Sequence, residues 1–263
     1  MNSTSPKKSK VKKGIYVLPN LLTTASLYCG FYSITASMKE NFTLAAVLIL
    51  IAFVLDGLDG RIARMTNTLS KFGAEYDSLS DLVSFGVAPA ILAYTWSLSS
   101  YGKWGWLAAF LFVLCGALRL ARFNVQTNII ESRVFNGLPI PASAVVVATS
   151  VLLYYYFGGT GKSPNLLALI VSVALSLLMI SNIKYYSFKD LNFFSRKPFM
   201  SFVLIVLILI IVTTEPEIMI FTFSLGYSFS GPSWALVKAV RKICAKTKSE
   251  RLRRIAGGKG SSV

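Results

Sequence analysis

The sequence contains no histidine. Catalysis by Ser-His-Asp or Cys-His pairs, and any His-ligated metal centre, are thereby excluded. Cysteine is nearly as scarce. Cys29, Cys115 and Cys244 lie far apart and show no metal-site spacing, which argues against disulfide frameworks and zinc ribbons. Acidic residues number only 11 against 27 Lys and Arg, so the formal net charge is +16. Charged residues together make 14% of the chain, compared with about 25% in average soluble domains.

What fills the chain instead is apolar: 54% of its 263 residues belong to the set AVILMFWYC. Windows of about 19 residues divide it into apolar stretches at 16–38, 43–62, 79–100, 104–122, 139–157, 165–182, 198–214 and 217–237. A bilayer needs about 20 residues of helix, so the expected architecture is an all-α, polytopic membrane bundle of about eight helices. The N-terminal lysines followed by an apolar run also suggest a signal peptide. That reading fails because the run continues past Gly30 to Met38 and no small-residue cleavage site closes it.

Eight spans put both termini on one side, and the positive residues test the arrangement. Twenty-four of the 27 Lys and Arg fall on the side of the termini, leaving only Lys39, Lys103 and Lys162 opposite. By the positive-inside rule both termini are cytoplasmic. The chain then divides into a basic cytoplasmic tail at 1–15, a membrane domain at 16–237 and a second basic tail at 238–263. The second tail alternates basic and apolar residues and reads as an anchor on anionic headgroups. A net charge this positive raises nucleic acid as a partner, but no aromatic residue beyond Trp234 accompanies the tail, and that partner is excluded.

The scarce acidic residues are not scattered. Asp56 and Asp59 sit at the cytoplasmic end of the second apolar stretch, and Asp77 and Asp81 at the start of the third. On a helix turning about 100° per residue, Asp56, Asp59, Gly60 and Ala63 share one face, with Arg64 at its margin. Gly73, Asp77 and Asp81 follow one another at i, i+4 and stack on another face. An unpaired charge at membrane depth costs about 3 kcal/mol or more, so cations must accompany these carboxylates. Arg61 and Arg64 can neutralise two at most. All-oxygen ligands without His or Cys point to Mg²⁺ or Mn²⁺ rather than zinc. Paired metals on shared carboxylates suit phosphoryl transfer.

The pattern Asp56-x2-Asp59-Gly60-x2-Ala63-Arg64-x8-Gly73-x3-Asp77-x3-Asp81 resembles, position for position, the signature of the CDP-alcohol phosphatidyltransferase family. The flanking stretches LPNLLT at 18–23, DSLSDLVSFGVAPA at 77–90, RLARFN at 119–124 and GLPIPA at 137–142 resemble its integral-membrane bacterial branch that uses serine. The resemblance covers roughly residues 14–200 and neither basic tail. It implies a location in the bacterial inner membrane and transfer of a phosphatidyl group from CDP-diacylglycerol to L-serine, with release of CMP. It implies two divalent ions on Asp56, Asp59 and Asp77, with Asp81 completing the second metal site and serving as general base. It further implies a cytidine pocket lined by Gly60, Ala63 and Gly73, with Arg64 and Ser70 on the CDP moiety and Asn20 and Thr23 facing the same nucleotide. A homodimer is implied as well, and small residues such as Gly30, Ser33, Gly86 and Ala90 permit close helix contacts.

The acceptor's carboxylate needs a fixed cation. Arg119, Arg122 and Asn124 lie at the cytoplasmic end of the fourth stretch, with Arg133 in the next connection, and are expected to receive it. The same arginines also suit a role as positive-inside anchors or as phosphate ligands. GLPIPA reads equally as a plain helix start, and Tyr154, Tyr155, Tyr156 and Phe157 as an aromatic belt. Two rival functions remain compatible with the aspartates. One is the same reaction with glycerol phosphate, inositol phosphate or choline as acceptor, against which only the flanking stretches speak. The other is an ion-coupled transporter, opposed by the clustering of the aspartates at one membrane face and by the lack of a repeat in the second half.

Overall fold

The computed structural model describes residues 17–66, 70–127, 134–186, 214–234 and 238. They form helices α1 (Val17–Met38), α2 (Phe42–Met65), α3 (Lys71–Asp81), α4 (Ala88–Trp96), α5 (Lys103–Thr127), α6 (Ile140–Tyr156) and α7 (Leu166–Ile180). A further helix, α8, runs over 216–234, through the Gly231-Pro232 pair. The expected span at 198–214 and both basic tails lie, apart from Thr214 and Lys238, outside the described residues.

Side-chain caps set the helix starts. Asn41 accepts from the Leu44 amide at 3.3 Å before α2. Ser70 accepts from the Gly73 amide at 3.0 Å before α3, and Asn165 accepts from the Leu167 amide at 2.8 Å before α7. Each satisfies a donor that the first helical turn leaves without a partner. Helices α3 and α4 are one bent rod joined by a π-helical turn, Leu82–Val87. The widened turn falls just before Pro89, which has no amide proton to give to Phe85 and whose ring crowds the carbonyl four residues back.

The helices alternate in direction. Lys162 pairs with Glu40 at 2.6 Å, and the Ser163 amide donates to the Trp96 carbonyl at 3.0 Å, so the connections after α1, α4 and α6 share one end. At the opposite end Arg122 donates to Asn182 at 2.7 Å, and Asn124 donates to Ser78 at 3.0 Å. There, too, lies the single departure from an all-helical chain among the described residues. Strands β1 (Val134–Asn136) and β2 (Lys184–Tyr186) pair antiparallel, Phe135 opposite Tyr185.

Hydroxyl groups hold the first three helices in register. Ser26 and Ser33 of α1 donate to the carbonyls of Ala52 and Ala45 on α2, at 3.1 and 2.8 Å. From the other side, Ser80 of α3 and Ser84 of the π turn donate to the carbonyls of Thr23 and Ser26, at 3.2 and 3.1 Å. The inner face of α2 is small, with Ala45, Ala46, Ile49 and Ala52 fully buried. Small residues let helix backbones approach closely where lipid supplies no hydrophobic drive to associate. Gly30, Ser33, Gly86 and Ala90 are all buried inside the chain in this way, so contact between two copies would use other residues.

The exterior is as apolar as the interior. Tyr28, Phe31, Phe53, Trp104, Trp106, Phe110 and Ile170 are all exposed large side chains, a surface that water does not tolerate at this extent. Phe42–Ala63, Lys71–Trp96 and Lys103–Val125 are long and apolar enough to cross a membrane, and Ile140–Tyr156 and Leu166–Ile180 are shorter apolar helices.

Candidate active site

Helix α2 carries Asp56 and Asp59 near its C-terminal end, and α3 carries Asp77 and Asp81 on the face turned toward it. The hydroxyl ties between α1, α2 and α3 fix this approach. Asp56, Asp59 and Asp77 each bring a carboxylate oxygen within 4.8 Å of the others. Asp81 and Asp56 hydrogen-bond to each other through their side chains. Asp59 is buried and accepts from the Thr23 hydroxyl at 2.7 Å. The Oδ1 atom of Asp77 is buried with no hydrogen-bond partner.

This arrangement fits a divalent metal. The donors are hard oxygens, they converge from two helices, and no ion pair among the described residues neutralises them. An orphaned carboxylate oxygen in the middle of three acidic groups is a costly arrangement unless a cation completes it.

Beside the carboxylates lies a cavity of about 140 Å³ between α1, α2 and α3. Its walls include Asn20, Thr23, Gly60, Ala63, Ser70 and Gly73, six of the residues expected to meet the nucleotide, and Asp59 and Asp77 open onto it. The seventh, Arg64, is placed on α2 with its side chain outside the described residues. Gly73 leaves little room on the cavity wall. A methyl group there would stand 3.1 Å from Ser70 Oγ and 3.4 Å from Asn20 Oδ1, intruding between the walls. Pro19 and Ala74 also line the cavity; each adjoins an expected residue, and that adjacency was the only signal for either.

The residues expected to bind the acceptor separate. Arg119, on α5, has a buried Nε without a hydrogen-bond partner and lies within electrostatic reach of Asp81 and Tyr227. Arg122 reaches Asn182 instead, at the C-terminal end of α7. Asn124 exchanges hydrogen bonds with Ser78, one residue along α3 from Asp77. Arg133 lies outside the described residues.

Apolar helices whose exposed faces are also apolar, with a carboxylate cluster near one end of the bundle, have the makeup of a membrane protein. The sequence model of the CDP-alcohol phosphatidyltransferase family matches residues 16–180, and the chain belongs to that family. A Helicobacter pylori protein named CDP-diacylglycerol–serine O-phosphatidyltransferase is 40% identical over 238 residues, covering 89% of this chain and 98% of that one. A Bacillus subtilis protein of the same name is 37% identical over 65% of this chain and 91% of its own. An archaetidylserine synthase from Methanothermobacter thermautotrophicus is 42% identical over 64% of this chain and 69% of its own. The chain is thus a transferase of phospholipid biosynthesis, and its signature aspartates are those that converge in the fold.

Proposed function

We propose that the protein transfers the phosphatidyl group of CDP-diacylglycerol to L-serine, giving phosphatidylserine and CMP. The observation that carries this reading is the position of Asp81. It is bonded to the carboxylate cluster through Asp56, and it is within electrostatic reach of the buried guanidinium of Arg119. The names of the relatives support serine as the acceptor.

In this mechanism the cytidine end of the donor occupies the cavity of Asn20, Thr23, Gly60, Ala63, Ser70 and Gly73, with Arg64 on the phosphates. Asp56, Asp59 and Asp77 would hold two divalent ions, with Asp81 completing the second site; bound there, the ions would supply charge withdrawal from the diphosphate and stabilisation of the departing CMP. Arg119 receives the carboxylate of serine. The serine hydroxyl oxygen forms a bond to the lipid-linked phosphorus, its proton passes to the Asp81 carboxylate, and the bond from that phosphorus to the oxygen of CMP breaks. The serine oxygen and the departing CMP oxygen stand on opposite sides of the phosphorus, as an in-line displacement requires.

The site sits at the cytoplasmic face of the inner membrane, in a bundle of eight spans with both termini inside. The distribution of cations supports this orientation. Arg61, Lys71 and Arg122 fall at the aspartate end of the bundle, whereas Lys39 and Lys162 flank the opposite connections.

The test is a membrane assay with labelled serine and CDP-diacylglycerol. CMP release that depends on serine and on Mg²⁺ or Mn²⁺ is the expected result. Release with a different alcohol and none with serine would sink the serine assignment while keeping the family reaction.

A further inference from the structure

The family sequence model ends at residue 180, yet α8, at 216–234, closes against the same end of the bundle as the aspartates. Strand β2 holds it there. The Tyr185 hydroxyl donates to the Ser228 carbonyl at 3.0 Å, and the Tyr185 ring lies 5.8 Å, centroid to centroid, from that of Tyr227. The helix face is pressed onto Tyr185 so closely that a methyl group at Gly231 would fall 2.4 Å from its ring. Tyr185 is itself fully buried, its hydroxyl kept protonated by that burial with the pKa pushed up to about 12. The pin leaves α8 little freedom to rotate, and it fixes which residue looks toward α5. That residue is Tyr227: it and Arg119 lie within electrostatic reach of each other, and Arg119 likewise reaches Asp81.

Arg119 has an unusual deficit for a guanidinium at this depth, because its Nε is buried and has no acceptor. A planar guanidinium binds a carboxylate through two parallel N–H groups, and Nε is one of the atoms that can take part. A phenol hydroxyl within electrostatic reach of the guanidinium can donate to the same carboxylate. The nucleotide cavity is built from α1, α2 and α3 and does not include Arg119 or Tyr227.

We propose that Tyr227 is a specificity-determining residue for the acceptor, its hydroxyl completing with Arg119 a recess for the acceptor's carboxylate. The proposal rests on the serine-transfer reading above and adds to it a residue outside the stretch that the family model covers. It also assigns a purpose to the β1–β2 ribbon, which holds α8 so that Tyr227 stays within electrostatic reach of Arg119.

The experiment uses the full chain in lipid nanodiscs with CDP-diacylglycerol and Mn²⁺ and compares wild type with Tyr227→Phe, which keeps the ring and its packing on Tyr185. A hydrogen bond to a charged group is lost, so KM for serine should rise about tenfold, while KM for CDP-diacylglycerol stays at the wild-type value. Combining Tyr227→Phe with Arg119→Lys should raise serine KM by less than the product of the two single effects, as expected for partners in one recess. An unchanged serine KM in Tyr227→Phe, or an equal rise for both substrates, overturns the proposal. If the wild type turns over a different alcohol and not serine, the serine reading falls by itself. The Tyr227 recess then stands only if the variant raises KM for that alcohol, and it is overturned otherwise.

Discussion

The Thr23 hydroxyl donates to Asp59 Oδ2 at 2.7 Å, which makes α1 a direct support of the carboxylate cluster on α2. Thr23 is itself buried, so no water replaces the bond when it is removed. Thr23→Val keeps the shape of the side chain and deletes the donor. A lost hydrogen bond to a buried charged group is worth about 2 kcal/mol, or roughly thirtyfold in kcat/KM. Steady-state CMP release in nanodiscs measures it, and a variant as active as wild type would remove Thr23 from the site.

Asp81 and Asp77 should fail differently. Asp81→Asn removes the proton acceptor together with one ligand of the second metal site, and loss of a general base typically costs about 10²–10⁴ in rate, a loss that added metal should not restore. Asp77→Asn instead weakens the metal site, so its residual activity should recover in part at raised Mn²⁺ concentration. A metal titration of both variants separates the roles. Rescue of Asp81→Asn by added metal to the wild-type rate would contradict its assignment as the base.

Gly73→Ala places a methyl group against Ser70 and Asn20 in the nucleotide cavity. Alanine is favoured over glycine within a helix by about 1 kcal/mol, so the variant should be at least as stable as wild type. Its KM for CDP-diacylglycerol should nonetheless rise about tenfold, since a crowded wall forces displacement of well-packed groups. Gly57→Ala is the control: nothing lies within 4 Å of the added methyl, so it should gain the same helix preference while its KM for CDP-diacylglycerol stays at the wild-type value.

Removal of divalent metal should be visible without any turnover. Three carboxylates whose oxygens lie within 4.8 Å of one another repel when ionised, and a bound cation relieves that repulsion. Added Mg²⁺ or Mn²⁺ should therefore raise the melting temperature of chelator-treated protein by a few degrees, roughly the shift of 1 kcal/mol or more. Asp77→Asn should abolish most of the shift. A melting curve indifferent to metal would exclude the cluster as a metal site.

The tie between Ser78 and Asn124 joins α3 to α5 beside Asp77. Ser78→Ala and Asn124→Ala should each cost about 1 kcal/mol of stability, and the double variant scarcely more than either single one, because both remove the same bond. Calorimetry of the three variants tests this, and fully additive losses would show that the two side chains act separately.

Much of this was legible in the chain. The aspartates are readable because their spacing follows helical geometry, Gly60, Ala63 and Gly73 because the same signature fixes them, and Asn20 and Thr23 because they stand in the flanking stretch LPNLLT. The start of α3 was not: a hydropathy window opens the third span at residue 79, whereas the helix begins at Lys71, since Lys71, Glu75 and Asp77 lower the local average without breaking the helix. Strands of three residues are too short for alternation to register, so β1 and β2 left no signal. Asn124 illustrates the remaining difficulty. Its place beside two arginines suggested a ligand, but its partner Ser78 lies 46 positions away and only the folded chain brings them together. Tyr227 had no sequence signal at all, because its relation to Arg119 depends on a helix held by Tyr185.

Every residue lining the nucleotide cavity comes from the stretch between Pro19 and Asp77. The proposed donor pocket is therefore drawn from one stretch of chain and built from α1, α2 and α3. Arg119 and Tyr227 arrive on separate later helices. On the proposed assignment, a lineage could change the alcohol it consumes by substitutions after residue 81 and inherit the donor pocket intact. Divergence of acceptor would then be a matter for the chain beyond the aspartates.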